Sequence, residues 1–477
     1  MNTGASVRRV LAIMMLTAVL GFAAIAQQGQ GAAERQLSSY LAAFNSGDRA
    51  TLLQYLEKNY AARVKDIDGM LEFREMTGGF ELKKIESSTA TKLTALLKEK
   101  DSDQFARMVM EVDESEPHPI KGNVDFRAIP TPPEFKIARM SEGDVITGIK
   151  KQAEERAAGG KFSGAIAISK NGKTIFAQAY GLADREKKIP NNVQTQFRMG
   201  SMNKMFTATS ILQLVQAGKI NLKDPLGKYL TDYPNKDVAT KVTIYHLLTH
   251  TGGTGDFFGP EFDKHRLELK SLQDYVKLYG ARGLEFEPGT KWDYSNYGFL
   301  LLGLVVEKAS GQDYYEYVRE HIFKPAGMTR SDSLPEDQAV AGRSVGYMKD
   351  EGGKGLVPNN DTLPYRGTSA GGGYTTVEDL LAFGNALLNH KLLDAEHTDL
   401  LTTGHERTPR GNMYAFGFME NVEDGVRWFG HGGGAPGMNG DLLIFPQSGY
   451  VVAALANMDP PAAERVANYA GARLPAK

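Results

Sequence analysis

The sequence predicts two folded units: an α+β domain of helices followed by strands over residues 27–130, and a larger α/β sandwich over 140–477. Three observations carry this reading. At 477 residues the chain is too long for one ordinary core, since domains run to ~100–200 residues each. Pro130-Thr131-Pro132-Pro133 forms a stiff connector, so 131–139 is expected to be a linker. The order of elements also changes there. Helices precede strands before it, whereas after it strands lie at both ends and helices fill the middle.

In the first domain Gln36–Phe44 and Ala50–Tyr60 read as helices around the turn Asn45-Ser46-Gly47-Asp48. Phe80–Glu86, Lys92–Lys98, Gln104–Val112 and Ile120–Ala128 read as strands, most with apolar/polar alternation. This order resembles the nuclear-transport-factor-like cone fold. The resemblance implies helices on a curved antiparallel sheet that either binds a ligand or supports a partner domain. No cluster of acid, base or metal-ligand types stands out in it, which favours support.

In the second unit Phe162–Ser169 and Thr174–Tyr180 read as strands joined through Asn171-Gly172, a tight-hairpin signal. Ser201–Ala217 reads as a helix stopped by Gly218, and Tyr245–Leu248 as a short one before Thr251-Gly252-Gly253. Tyr297–Ala309 is a strongly apolar helix. Thr375-Thr376-Val377-Glu378 fits a capping box that opens a helix over Val377–Asn389. Asp441–Phe445 and Tyr450–Ala456 are the closing strands.

Composition narrows the function classes. A charged fraction of 23 % and a formal charge of −2 give no footprint for nucleic acid or an anionic membrane. There is no cysteine, which excludes disulfides, thiolate metal sites and cysteine nucleophiles. Arg8 and Arg9 precede the apolar run Val10–Ala26, which ends in Ala24-Ile25-Ala26. This pattern is expected to be a signal peptide over 1–26, cleaved to leave a periplasmic or secreted protein. The run is short of the ~20 residues that span a bilayer, so membrane attachment is expected only if the segment is retained.

Three short motifs carry the chemistry. In Ser201-Met202-Asn203-Lys204, positions i and i+3 share one helix face with Cβ atoms ~5–6 Å apart. The lysine amine can then reach the hydroxyl and, when neutral, take its proton. By itself this spacing is common, and an N-cap serine beside a solvated lysine explains it as well. Tyr294-Ser295-Asn296 offers a phenol that can relay protons and an amide that can orient a substrate. In His431-Gly432-Gly433-Gly434, before the Asp441 strand, glycines let a substrate lie against the backbone and an N–H can serve an oxyanion.

In this order and at these spacings the three motifs resemble those of the penicillin-recognising serine hydrolases. The class C β-lactamase-like branch, with D-Ala-D-Ala carboxypeptidases, D-aminopeptidases and esterases, is the most similar over about 145–470. Gly164–Gly181, His246–Gly253 and Ala370–Tyr374 match as well. The resemblance implies a β-lactamase-like sandwich, an antiparallel sheet flanked by helices plus an all-helical subdomain. It also implies catalysis by Ser201, Lys204 and Tyr294, with substrate held by Asn296, His431, Gly433 and Gly434. The oxyanion would sit on the N–H groups of Ser201 and Gly434. Whether Lys204 or Tyr294 is the principal base stays open.

Dedicated β-lactamases of this branch resemble Lys-Thr-Gly at the third motif, where this chain has His431-Gly432-Gly433. Histidine is largely neutral at pH 7, so the clamp on a substrate carboxylate is weakened. The expected reaction is therefore hydrolysis of an ester or amide in a small molecule or peptide. Carboxypeptidase or β-lactamase action is an alternative, as is an inactive penicillin-binding-like scaffold. No cofactor, metal or nucleic acid is expected, and oligomeric state is left open. His246 and His250 have i, i+4 spacing but no third ligand type, so His250 is read as tying down the following turn.

Overall fold

Gly47 stops the first helix of the N-terminal unit by turning left-handed, at φ 66°. The structure, a computed structural model, describes residues 31–350 and 355–477, so the leader expected over 1–26 lies outside it. Within this unit Ala32–Ser46 (α1) is followed by Arg49–Asn59 (α2), whose first turn is capped by the Asp48 carboxylate accepting the Thr51 N–H. A third helix, Ile67–Thr77 (α3), was not foreseen; it buries only its two end residues and so presents no apolar stripe.

Phe80–Ser88 (β1), Lys92–Glu99 (β2), Phe105–Glu111 (β3) and Asp125–Ile129 (β4) form an antiparallel sheet in that order. Leu93, Ala95 and Leu97 of β2 and Met108 and Met110 of β3 alternate inward onto Leu37, Tyr40 and Phe44 of α1. The last strand starts later than the expected Ile120. That residue makes only an isolated bridge to Val112, in a stretch broken by Pro117, Pro119 and Gly122.

The connector is not a free spacer over 131–139. Pro133–Phe135 makes a 3₁₀ turn whose Phe135 ring stacks on Phe105 at 5.3 Å, within the first unit. The division between units falls after Lys136. Beyond it, Arg139 Nη1 donates to the carbonyls of Gly471 (2.7 Å) and Leu474 (3.1 Å) in the second unit.

The second unit is a sheet between two helical layers. Glu142–Ala158 (α4) opens it, capped by Ser141. Gly164–Lys170 (β5) and Lys173–Tyr180 (β6) are joined by Asn171 and Gly172, both at positive φ as the tight hairpin requires. The centre of the chain supplies Asn203–Gln216 (α5), Ile244–Leu248 (α6), Asn296–Ser310 (α7) and Val377–Leu388 (α8).

The chain then returns through Glu406–Arg407 (β7), Met413–Tyr414 (β8), Met419–Glu423 (β9), Val426–Ala435 (β10), Met438–Phe445 (β11) and Tyr450–Ala456 (β12). It closes with helix Ala462–Arg473 (α9). Strand order is β7-β8-β9-β10-β11-β12-β5-β6, every pairing antiparallel.

The two sheet faces split by the period of two. Ala165 and Ala167 of β5 join Leu442, Ile444, Val451 and Ala453 under the central helices. Ile166 and Ile168 join Leu443, Val452 and Ala454 under α4 and α9. Strands β11 and β12 are thus buried on both faces, which explains their unbroken apolar runs. Among the described residues no helix is long and apolar enough to cross a membrane.

Candidate active site

Ser201 does not open an α-helix as expected. It sits in a 3₁₀ turn, Gly200–Met202, that runs into α5. Gly200 holds φ 54°, and a Cβ there would stand 2.9 Å from the Gly434 nitrogen. Only glycine allows both the left-handed turn and this approach. The Gly200 carbonyl accepts the Gly372 N–H at 3.1 Å, which is the use made of the 371–373 glycines. Met199, Met202 and Met205 pack into the core beneath.

Lys204 is fully buried one turn later. Its Nζ lies 3.3 Å from Ser201 Oγ, 2.7 Å from Asn296 Oδ1 and 2.5 Å from the Ala370 carbonyl. Two of these partners are carbonyl oxygens that can only accept. A neutral amine gives its two N–H bonds to them and is left with its lone pair facing the serine hydroxyl. Burial pulls Lys204 down to about 7, against the opposing charge of Asp256.

Tyr294 is hydrogen-bonded to Ser201 and its ring lies beneath Lys204, with Nζ 4.7 Å from the centroid. Burial pushes its phenol well above the usual range. The same desolvation therefore sends the two groups opposite ways, and a proton between them rests on Tyr294.

Asn296, the first residue of α7, turns its oxygen to Lys204 and its amide Nδ2 to Asp256, 2.7 Å from Oδ2. The structure thus employs Asn296 in holding Lys204 as well as facing the site. Asp256 was not legible from sequence. It arrives from a loop with no periodicity, after the Thr251-Gly252-Gly253 turn.

Behind Tyr294 runs a one-directional chain of hydrogen bonds. The Ser295 N–H donates to His250 Nδ1 at 3.1 Å, so His250 carries its proton on Nε2 and donates to Tyr414 Oη at 2.9 Å. The Tyr414 hydroxyl then donates to His431 Nε2 at 3.3 Å, and His431 Nδ1–H donates to the Gly432 carbonyl at 2.5 Å. Both imidazoles are neutral. Burial, then Lys204, brings His431 down to about 4, and burial, then Lys204 and His431, takes His250 well below its usual value.

His250 stands in the left-handed region, past the end of α6 at Leu248. The i, i+4 spacing to His246 is therefore not helical. His246 instead caps its own helix by accepting the Thr243 N–H.

His431-Gly432-Gly433-Gly434 lies inside β10, on the edge of that strand that β9 leaves unpaired. A Cβ on Gly433 would overlap the Met199 carbonyl oxygen, so its missing side chain seats the strand against the Met199-Gly200 turn. Strand β9 pairs with β10 only as far as Gly430. The outer edge beyond it is open, and there the Gly434 nitrogen approaches Gly200 beside Ser201. Among the described residues no group of three His, Cys, Asp or Glu could hold a metal.

Comparisons with known proteins bear on the family and the fold. PbpX of Bacillus subtilis (strain 168) is 33 % identical over 296 residues, covering 62 % of this chain and 70 % of that protein. The crystal structure of a penicillin-binding protein from Bacillus halodurans superposes with a TM-score of 0.61 at 34 % identity, covering 66 % of this chain and 97 % of the other. A D-stereospecific amidohydrolase from Streptomyces sp. gives a TM-score of 0.55 at 28 % identity, covering 65 % and 94 %. Residues 149–477, well over half of the chain, match the β-lactamase family, to which this chain therefore belongs.

Proposed function

We propose that this protein hydrolyses an ester or amide bond through an acyl-Ser201 intermediate. The observation that carries the reading is the setting of Lys204: a buried amine with two carbonyl acceptors on its N–H bonds and the serine hydroxyl at the remaining position. Ser201 Oγ attacks the substrate carbonyl carbon and its proton passes to Lys204 Nζ. The resulting oxyanion is received by the N–H groups of Ser201 and Gly434, each such donor being worth ~10²–10³ in rate. As the intermediate collapses, the leaving group takes a proton through Tyr294, which Lys204 restores. Water then loses a proton to Lys204 and attacks the acyl carbon, and as the acyl C–O bond to Ser201 breaks Lys204 returns that proton to Oγ, which restores the hydroxyl and the neutral amine. The high pKa of the buried Tyr294 favours Lys204 as base and Tyr294 as proton relay.

The substrate carries little negative charge where it meets the third motif. His431 is neutral and Gly432 has no hydroxyl, so no fixed cation grips a carboxylate there. Uncharged esters and amides, D-amino acid amides among them, suit this site, and the likeness to a D-stereospecific amidohydrolase supports an amide.

A fluorophosphonate should label the wild type and not Ser201→Ala. A panel of p-nitrophenyl esters, D-amino acid amides, D-Ala-D-Ala peptides and nitrocefin then ranks the substrates. Absence of labelling would favour an inactive recognition protein, and nitrocefin turnover matching a dedicated β-lactamase would overturn the substrate assignment. The leader-like 1–26 segment supports export, which a mature N-terminus at Gln27 in the exported protein would establish.

A further inference from the structure

Asn439 lies in β11 opposite Gly434, fully buried and outside the three motifs. Its side-chain amide is engaged on both ends. Nδ2 donates to the Gly433 carbonyl at 2.9 Å and to Glu464 Oε1 at 3.1 Å. Oδ1 accepts the N–H groups of Ala463 (2.7 Å) and Glu464 (3.1 Å), in the first turn of α9. A buried amide so engaged cannot rotate without leaving polar groups unpaired.

The Gly433 carbonyl and the Gly434 N–H belong to one peptide unit. A trans peptide is planar, with its C=O and N–H pointing in opposite directions. Holding the oxygen on the β11 side therefore aims the N–H at the open edge of β10, beside Ser201. Donation to the oxygen also polarises the amide and makes its N–H a stronger donor. β10 stays paired with β11 as far as Ala435, but its other edge loses β9 beyond Gly430 and 432, 433 and 434 are all glycine, so this peptide plane is less restrained than one in the middle of a sheet.

We infer that Asn439 is a positioning residue that orients and polarises the Gly433–Gly434 peptide as an oxyanion donor, with α9 as its rigid support. The inference rests on the acyl-serine reading for its catalytic consequence. Its structural part, that Asn439 sets the orientation of this peptide, does not depend on that reading.

Asn439→Asp separates support from positioning. The variant keeps the oxygen that caps α9, but its second oxygen donates to Gly433 only when protonated. The ionisable group in contact with it is Glu464, on which Arg465 of α9 and Arg410 from the loop before β8 act, and Glu464 in turn acts on Asp441 of the same strand, whose carboxyl burial pushes well up. Relative to wild type at the same pH, kcat on a p-nitrophenyl ester should be about tenfold lower at pH 9 with KM unchanged. The deficit should narrow as pH falls and the carboxyl regains its proton. No deficit at pH 9, or one that is the same at every pH, overturns the inference.

A crystal structure of Asn439→Leu gives the second readout. The Gly433–Gly434 peptide should rotate away from its wild-type plane, and a peptide that stays in place overturns the inference whether or not the protein hydrolyses anything. A rotated peptide together with a wild type that no fluorophosphonate labels counts against the hydrolase reading alone.

Discussion

Lys204 must be neutral to act, and its burial provides that at the expense of stability. With Lys204 near 7, kcat/KM on an uncharged ester should rise about tenfold per pH unit below that value and level off above it. A limb near pH 4–5 instead would assign the base to a carboxylate. Lys204→Met should lower kcat/KM by roughly 10²–10⁴. The same shift has a stability consequence with a definite sign. The folded value is near 7 and the unfolded one ~10.4, so between them the unfolded chain binds the extra proton. Stability contributed by this group therefore increases as pH rises from 7 to 10.5. Urea unfolding at several pH values should show wild type gaining on Lys204→Met across that window, with no trend between the two below pH 6.

At the scale of elements, β10 and the Met199-Gly200 turn act as one piece, because Gly433 leaves no gap between them. Gly433→Ala should push the strand off the turn and reduce fluorophosphonate labelling at least a hundredfold, while Gly283→Ala, exposed and with a Cβ that would meet nothing, serves as the control. Helix α8 makes a finer test. Its cap is Thr376, accepting the Asp379 N–H, one residue later than the Thr375/Glu378 box expected from sequence. Thr376→Ala should cost about 1 kcal/mol in urea unfolding, and exposed Glu378→Ala nothing measurable.

The cap shows what a sequence can and cannot disclose. Two adjacent threonines fit the same pattern, and only the packing of Asp379 against the N–H groups of Thr329 and Arg330 decides between them. Ser201 and Lys204 were legible because they lie three residues apart, and Tyr294, Asn296 and His431 because their motifs recur in order. Asp256 and Tyr414 were not, since each reaches the site from a segment whose own sequence has no signal for it, and the Ala370–Tyr374 stretch, though it matched, did not disclose that a backbone carbonyl in it holds Lys204. Helices α4 and α9 were missed because they bury alanines and isolated branched residues, which make no conspicuous stripe.

At the scale of the whole molecule, the cores are separate. The aromatic and aliphatic cluster under α1 shares no residue with the two clusters that sandwich the large sheet. Each unit therefore has the means to fold alone, and unfolding of the full chain should pass through two transitions rather than one. The transitions can be assigned in advance. The denaturant slope scales with the surface exposed, so the unit over 137–477 should give the steeper one. Fluorophosphonate labelling, which depends on Ser201, should disappear with that transition and be indifferent to the other. A chain beginning at Ile137 should reproduce the steep transition at the same urea midpoint and label at the wild-type rate. A single transition in the full chain, paired with an insoluble 137–477 fragment, would mean that the first unit is required for the hydrolase unit to fold.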